Sequence, residues 1–127
     1  VEVNEISAVT VIDAILECGN EKNAAVKLGC SVTYLYRFIP SGPSVYFIEA
    51  AGLVKVGTAS GGNIVNRLKT IKTTNAANTK IIGLTNGGKD VEKILHDKWK
   101  QYRHHGEWFI LSDEIRSYLE GLTYANG

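Results

Sequence analysis

Methionine is absent from this chain, and proline and cysteine occur only twice each. The prolines, Pro40 and Pro43, stand together, so the remainder of the 127 residues is free of the residue that most firmly interrupts helices and strands. Two cysteines, Cys18 and Cys30, allow at most one disulfide. Both fall at apolar positions of a helical pattern, where cysteine packs as a small hydrophobe, and a reduced, cytoplasmic protein is expected. No apolar run approaches the roughly 20 residues that cross a bilayer, which argues against membrane partners. The first residues are acidic with no apolar stretch behind them, so no signal peptide is expected. Without methionine and with Val1 at its start, the chain reads as trimmed or as part of a longer protein. A large excess of one charge is lacking as well: the net charge is +1. That balance alone points to no polyanionic partner.

What is present is an ordinary globular composition, 44% hydrophobic and 21% charged. A chain of this length buries roughly two thirds of the surface its unfolded form exposes, enough for one domain or two small ones. The charge is unevenly spread. Residues 1–43 hold three basic and five acidic groups, residues 44–127 eleven and eight. The one evident linker, Pro40-Ser41-Gly42-Pro43-Ser44, places a domain boundary between residues 43 and 44, because each proline disfavours helix at the residue before it.

Before the linker the apolar period is helical. Val9, Ile12, Ile15 and Leu16 form a stripe that Gly19 ends; Asn20 caps a second helix through Ala24, Ala25 and Leu28; Gly29 turns; and Ser31 caps a third helix reaching about Phe38. After the linker the period becomes that of strands. Residues 44–50 and 53–58 are rich in Val, Ile, Tyr and Phe and meet at Ala51-Gly52 as a hairpin. A helix opening at Asn63 follows, then a strand over about 80–85. A helix over about 89–103 carries the stripe Val91, Ile94, Leu95, Trp99, Tyr102. Trp108–Leu111 reads as a short edge strand, and Ser112 caps a last helix with Asp113 and Glu114 in its first turn. The expected fold is α/β of the α+β kind: a three-helix module over 1–43, then a small, mostly antiparallel three-stranded sheet flanked by helices over 44–127.

The segment from Gly19 to Phe38 resembles the Fis-type helix-turn-helix. Ala25 permits close helix crossing, Gly29 takes the sharp turn, and Leu28, Leu35 and Phe38 lock the pair. The resemblance implies a second helix lying in the major groove, with Thr33, Tyr36 and Arg37 facing outward and Ser31 near a phosphate. A helical hairpin that only packs is the plainer reading, and the single basic residue on the reading helix speaks for it, but the motif as a whole favours DNA contact.

Within 44–120, Ser44-Val45-Tyr46 and Lys55-Val56-Gly57 are followed by Arg67 on a helix, by Asp90-Val91-Glu92-Lys93-Ile94-Leu95-His96, and by Gly106-Glu107-Trp108-Phe109. In that order these segments resemble the GIY-YIG nucleases, in the subgroup of phages and mobile elements, with Ser44 in place of the first glycine and Lys55 in place of the second tyrosine. The resemblance implies an endonuclease whose site is Tyr46, Lys55, Arg67 and Glu92. The residue chemistry agrees. Glu92 is a hard oxygen ligand suited to one Mg²⁺ (or Mn²⁺), which keeps several waters and takes the substrate phosphate as a further ligand. Arg67 offers the phosphate a fixed fork of donors. Tyr46 is the candidate general base; free tyrosine titrates near pH 10, and the ammonium of Lys55 would favour its phenolate.

Each residue also has an ordinary explanation. Tyrosine is common in strands, an edge-strand lysine discourages aggregation, and Arg67 and Glu92 suit solvated helix faces. The four together favour a site. Glu107 reads as shaping the turn before Trp108. His96, four residues after Glu92, shares its helix face, whereas His104 and His105 are expected to close the same helix, where cationic character is favourable. No zinc spacing is present. Lys69, Lys72, Lys89, Lys93, Lys100 and Arg103 read as solvated surface, some of it along a DNA backbone. The sequence thus points to Mg²⁺-dependent cleavage of double-stranded DNA, either as nicking or by a homodimer on a palindromic site. Its rivals are a non-catalytic DNA-binding regulator or replication-associated protein, and an RNA-cutting toxin.

Overall fold

Side-chain caps and left-handed glycines punctuate the first helices, at Gly19, Asn20, Gly29 and Ser31 as expected and at Ser7 in addition. Ser7 Oγ accepts from the Thr10 N–H at 3.3 Å and opens α1 (Ala8–Cys18), which Gly19 ends at φ 90°. Asn20 Oδ1 accepts from the Asn23 N–H at 2.8 Å and opens α2 (Glu21–Leu28). Gly29 closes it at φ 73°, and Ser31 Oγ accepts from the Tyr34 N–H at 3.1 Å to open α3 (Val32–Leu35). The computed structural model describes residues 7–60, 63–74 and 78–126, the side chains of 123–126 apart. The reading of residues 1–6 as free of a leader lies outside them.

The α3 helix corrects an expectation. A reading helix reaching Phe38 was predicted, but α3 is one turn of four residues, followed by turn hydrogen bonds from Arg37 N to Tyr34 O and Phe38 N to Leu35 O. β-Branched Val32 and Thr33 are weak helix formers, and Pro40 holds Ile39 away from helical backbone, so the segment has little to propagate it.

After the linker, β1 (Ser44–Ala50) and β2 (Leu53–Ala59) pair antiparallel over their whole length. Ala51 at φ 52° and Gly52 at φ 81° form the two-residue turn, both central residues being left-handed as the twist of a hairpin requires. Next come α4 (Ile64–Thr74), β3 (Lys80–Asn86) and α5 (Lys89–Lys98). A 3₁₀ turn over Lys100–Tyr102 then leads into β4 (Arg103–His105), β5 (Trp108–Ile110) and α6 (Asp113–Asn126). The sheet order is β3-β1-β2-β5-β4, every neighbouring pair antiparallel.

Among the described residues the sheet therefore has five strands, where three were predicted. The expected helix over 89–103 stops at Lys98; Lys100–Tyr102 tighten into the 3₁₀ turn and Arg103 opens β4. Gly106, at φ 53°, turns the chain so that β4 folds back on β5. The 3₁₀ turn keeps nearly the spacing of the helix before it, and periodicity alone could not mark the change. His104 and His105 accordingly lie on β4 and not at a helix end, while Trp108–Ile110 is an inner strand and not an edge.

Helices cover both faces. Tyr46 and Ile48 point into a core shared with α1–α4, whereas Val45 and Phe47 point into a second core with α5, β5 and α6. Trp99 is fully buried there, with ring centroids 6.3 Å from Phe47 and 5.1 Å from Tyr118. This double coverage explains the unbroken apolar run of β1, since alternation is expected only where one face of a sheet is wet. The first core joins Val11, Ile12, Ile15, Leu28 and Leu35, from before the linker, to Ile64, Leu68, Ile81 and Leu84, from after it. Among the described residues no helix is long and apolar enough to cross a membrane.

Candidate active site

The site begins where β2 outruns its neighbour. β5 pairs with Leu53, Val54 and Lys55 only, and the last backbone bond runs from Val56 N to Glu107 O at 3.0 Å. The Val56 carbonyl is met by a side chain: His96 Nε2, from α5, lies 2.9 Å from it. A carbonyl only accepts, so this nitrogen carries the proton. Beyond this point β2 borders an open cleft of about 470 Å³. Arg67 reaches it from α4, Glu92 and His96 from α5, Thr58 from β2, and Arg103 and Glu107 from the β4–β5 hairpin. Lys89, Lys93 and Asp97 complete the wall, making it polar and of mixed charge.

Tyr46 lies directly across the β1–β2 ladder from Gly57. A Cβ on residue 57 would stand 2.5 Å from the Tyr46 hydroxyl oxygen, so the phenol occupies the space that glycine leaves. The residue is fully buried, and its hydroxyl has no hydrogen-bond partner of good geometry. Its near neighbour is Arg67. Polar contact with Tyr46 is the largest influence holding the Arg67 guanidinium above its ordinary range; Glu107 and Glu92 add to it, and burial opposes it. We read this as close approach short of a well-formed bond.

Glu92 Oε1 lies 3.9 Å from His96 Nε2, one helical turn away, and both side chains are largely buried. His96 also packs on Phe109, ring centroids 5.0 Å apart, so the imidazole is held by a carbonyl and an aromatic face together. Among the described residues no three His, Cys, Asp or Glu side chains gather into a metal cage. Carboxylates that line a polar cleft without gathering into a cage suit an ion that keeps most of its waters, as Mg²⁺ does, better than one needing four protein ligands.

Arg67, Glu92 and Tyr46 thus converge. Lys55 is placed differently from the sequence expectation. Its ammonium is paired with Glu107 Oε2 at 3.2 Å and sits 5.7 Å over the Trp108 ring, outside the wall of the cleft. Ser31, Thr33, Tyr36 and Arg37 are exposed around α3 and line none of the cleft. Ser31 caps α3, and the Arg37 guanidinium lies 5.6 Å over the Tyr34 ring. Sequence reasoning missed Gly57 as the residue that makes room for the phenol, and Glu107 and Arg103 as parts of the cleft. Their positions depend on cross-strand pairing and on a hairpin that helical periodicity concealed.

The family match covers residues 41–120, a T5orf172 domain, and the chain belongs to that family. The T5orf172 domain is associated with nuclease-like proteins and with DNA as a partner. This overturns the family resemblance drawn from the sequence: T5orf172 is a distinct family, so the chain is not a GIY-YIG nuclease joined to a Fis-type helix-turn-helix. The match also leaves the first forty residues outside its span, where a one-turn α3 replaces the reading helix. Neither a curated protein nor a solved structure matches the chain.

Proposed function

We propose that the protein is a DNA endonuclease that hydrolyses phosphodiester bonds in the cleft beside β2, with Mg²⁺ or Mn²⁺ as cofactor. The observation carrying this reading is the convergence of Arg67 from one face of the sheet and Glu92 from the other, next to the buried, unsatisfied hydroxyl of Tyr46. Arg67 binds the phosphate through its planar fork, a geometry that also favours charge developing on the phosphoryl oxygens. Glu92, kept in place beside His96, would hold the cation. That ion, when bound, supplies further positive charge at the phosphate. Water forms the new bond to phosphorus as the bond to the departing 3′ oxygen breaks; Tyr46 enters the step as the phenolate, its own proton already lost to solvent, and Oη takes the water's proton beside the Arg67 guanidinium while solvent protonates the leaving oxygen. Lys89, Lys93 and Arg103 track the neighbouring backbone of a duplex.

The exposed corner around α3 is proposed as a second contact, made by Ser31, Thr33, Tyr36 and Arg37. One helical turn is too short to lie along a major groove, so contact with phosphates is the better expectation. The two segments, 1–43 and 44–127, would then hold and cut the same DNA.

The test is conversion of supercoiled plasmid and of a phage and host DNA library to nicked or linear forms in Mg²⁺. The intact chain is compared with Glu92→Ala, Arg67→Ala and an EDTA control. Cleavage by the intact chain in Mg²⁺, falling at least about a hundredfold in each variant, is expected. Equal cutting by both variants would move the site elsewhere. Tight duplex binding without any cutting would leave a DNA-binding regulator in place of the nuclease.

A further inference from the structure

Glu107 is the one carboxylate on the hairpin side of the cleft that is already paired with a cation. Its main chain is fixed, because its carbonyl takes the last ladder bond from Val56 N at 3.0 Å. Its side chain has open space beside it, being 37% exposed, and Oε2 reaches the Lys55 ammonium at 3.2 Å. The same residue lines the cleft together with Arg67 and is one of the two carboxylates that favour the Arg67 charge. A carboxylate and a phosphate ask the same thing of lysine and arginine, namely two or more charge-assisted donors around an anionic oxygen.

Resting on the nuclease reading, we propose that Glu107 is a resident anion standing in for the substrate phosphate. In the free protein it holds Lys55 and screens Arg67; when a DNA phosphate enters, the Glu107 side chain swings out and Lys55 passes to the phosphate. Only side-chain torsions change, since the backbone of residue 107 remains in the ladder. The device leaves neither Lys55 nor Arg67 without a nearby anion while no phosphate is bound. It also makes anion binding an exchange, so duplex affinity is weaker than the basic residues alone would give. Lys55 then belongs to the substrate-bound site although it lies outside the wall of the free one.

The experiment measures binding of a labelled duplex in EDTA at several salt concentrations by the intact chain, Glu107→Gln, Lys55→Gln and the double variant. Glutamine keeps the size of the side chain and the backbone bond while removing the charge. In parallel, inorganic phosphate is titrated against the emission of Trp108, which lies under Lys55; Trp99, the other tryptophan, is fully buried and serves as a constant background. The proposal expects Glu107→Gln to bind the duplex roughly threefold or more tightly and to steepen the salt slope by about one phosphate contact. It also expects Lys55→Gln to cost more affinity in the Glu107→Gln background than in the intact chain, a coupling that additive sites lack. Phosphate should shift Trp108 emission at lower concentration in Glu107→Gln. Unchanged or weaker duplex binding by Glu107→Gln, with the intact chain binding normally, would overturn the proposal and leave the DNA reading standing. Phosphate discrimination without duplex binding by any variant would support the anion exchange and overturn the DNA reading. If neither ligand distinguishes Glu107 from glutamine, the resident-anion role is wrong.

Discussion

A buried hydroxyl without a partner is a cost that a packed interior normally avoids, and under the proposed function Tyr46 is where stability and activity would part company. Replacing Tyr46 by Phe removes the unsatisfied oxygen and leaves the ring in place. Urea or thermal unfolding should therefore show unchanged stability or a gain of up to about 1 kcal/mol, while plasmid cutting is lost. A fall in stability of similar size would instead show that the contact with Arg67 is a full hydrogen bond. Gly57 is the other half of this arrangement. In Gly57→Ala the new methyl group meets the end of a ring that is enclosed on every side, 2.5 Å away, so ring or strand must shift. We expect a loss of about 1–3 kcal/mol in denaturation, with cutting reduced beyond what stability explains.

The decisive elements are α5 and the β4–β5 hairpin, which between them finish what β2 leaves unpaired. His96 acts as a detached rung of the sheet, supplying to the Val56 carbonyl the donor that β5 no longer provides. His96→Ala removes that donor and the face packed on Phe109. The loss should be about 1–3 kcal/mol, the cost of a stranded buried acceptor, and Glu92 loses the neighbour that limits its rotamers. Denaturation of the intact and variant chains, with cleavage measured across a range of Mg²⁺ concentrations, checks both parts. A raised Mg²⁺ requirement is expected, and an unchanged one would remove His96 from the positioning of Glu92. The hairpin's contribution rests on Gly106, whose left-handed backbone places Glu107 and Arg103 on the cleft.

At the scale of the molecule, the helices before Pro40 cover the face of the sheet that Tyr46 and Ile48 present. A chain of residues 44–127 alone would bare that face, including Ile64, Leu68, Ile81 and Leu84. Its melting temperature should fall by at least about 8 °C relative to the whole chain, or its unfolding lose cooperativity. Independent folding with the stability of the whole would instead show two autonomous units joined at the linker. The boundary read from Pro40 and Pro43 is a break in the chain; the core runs across it.

What the sequence by itself determined is local: the caps Asn20, Ser31 and Ser112, the turns at Gly19, Gly29 and Ala51-Gly52, and the two strands that meet there. These are legible because each is set by residues within a few positions of one another, through a side-chain cap or a left-handed backbone. Arg67 and Glu92 were singled out through the family resemblance and not by such local signals, since each alone suits a solvated helix face; the cleft lining brings the two together. Tertiary structure decided the rest. One further strand, β4, appeared where a helical period ran on, the expected edge strand became an inner one, and α3 stopped after one turn. Lys55 went to Glu107, and the wall of the cleft was drawn from both faces of the sheet. Such features arise when segments distant in sequence exclude water from one another and share out backbone partners, and a one-dimensional pattern does not record which partner each edge will find.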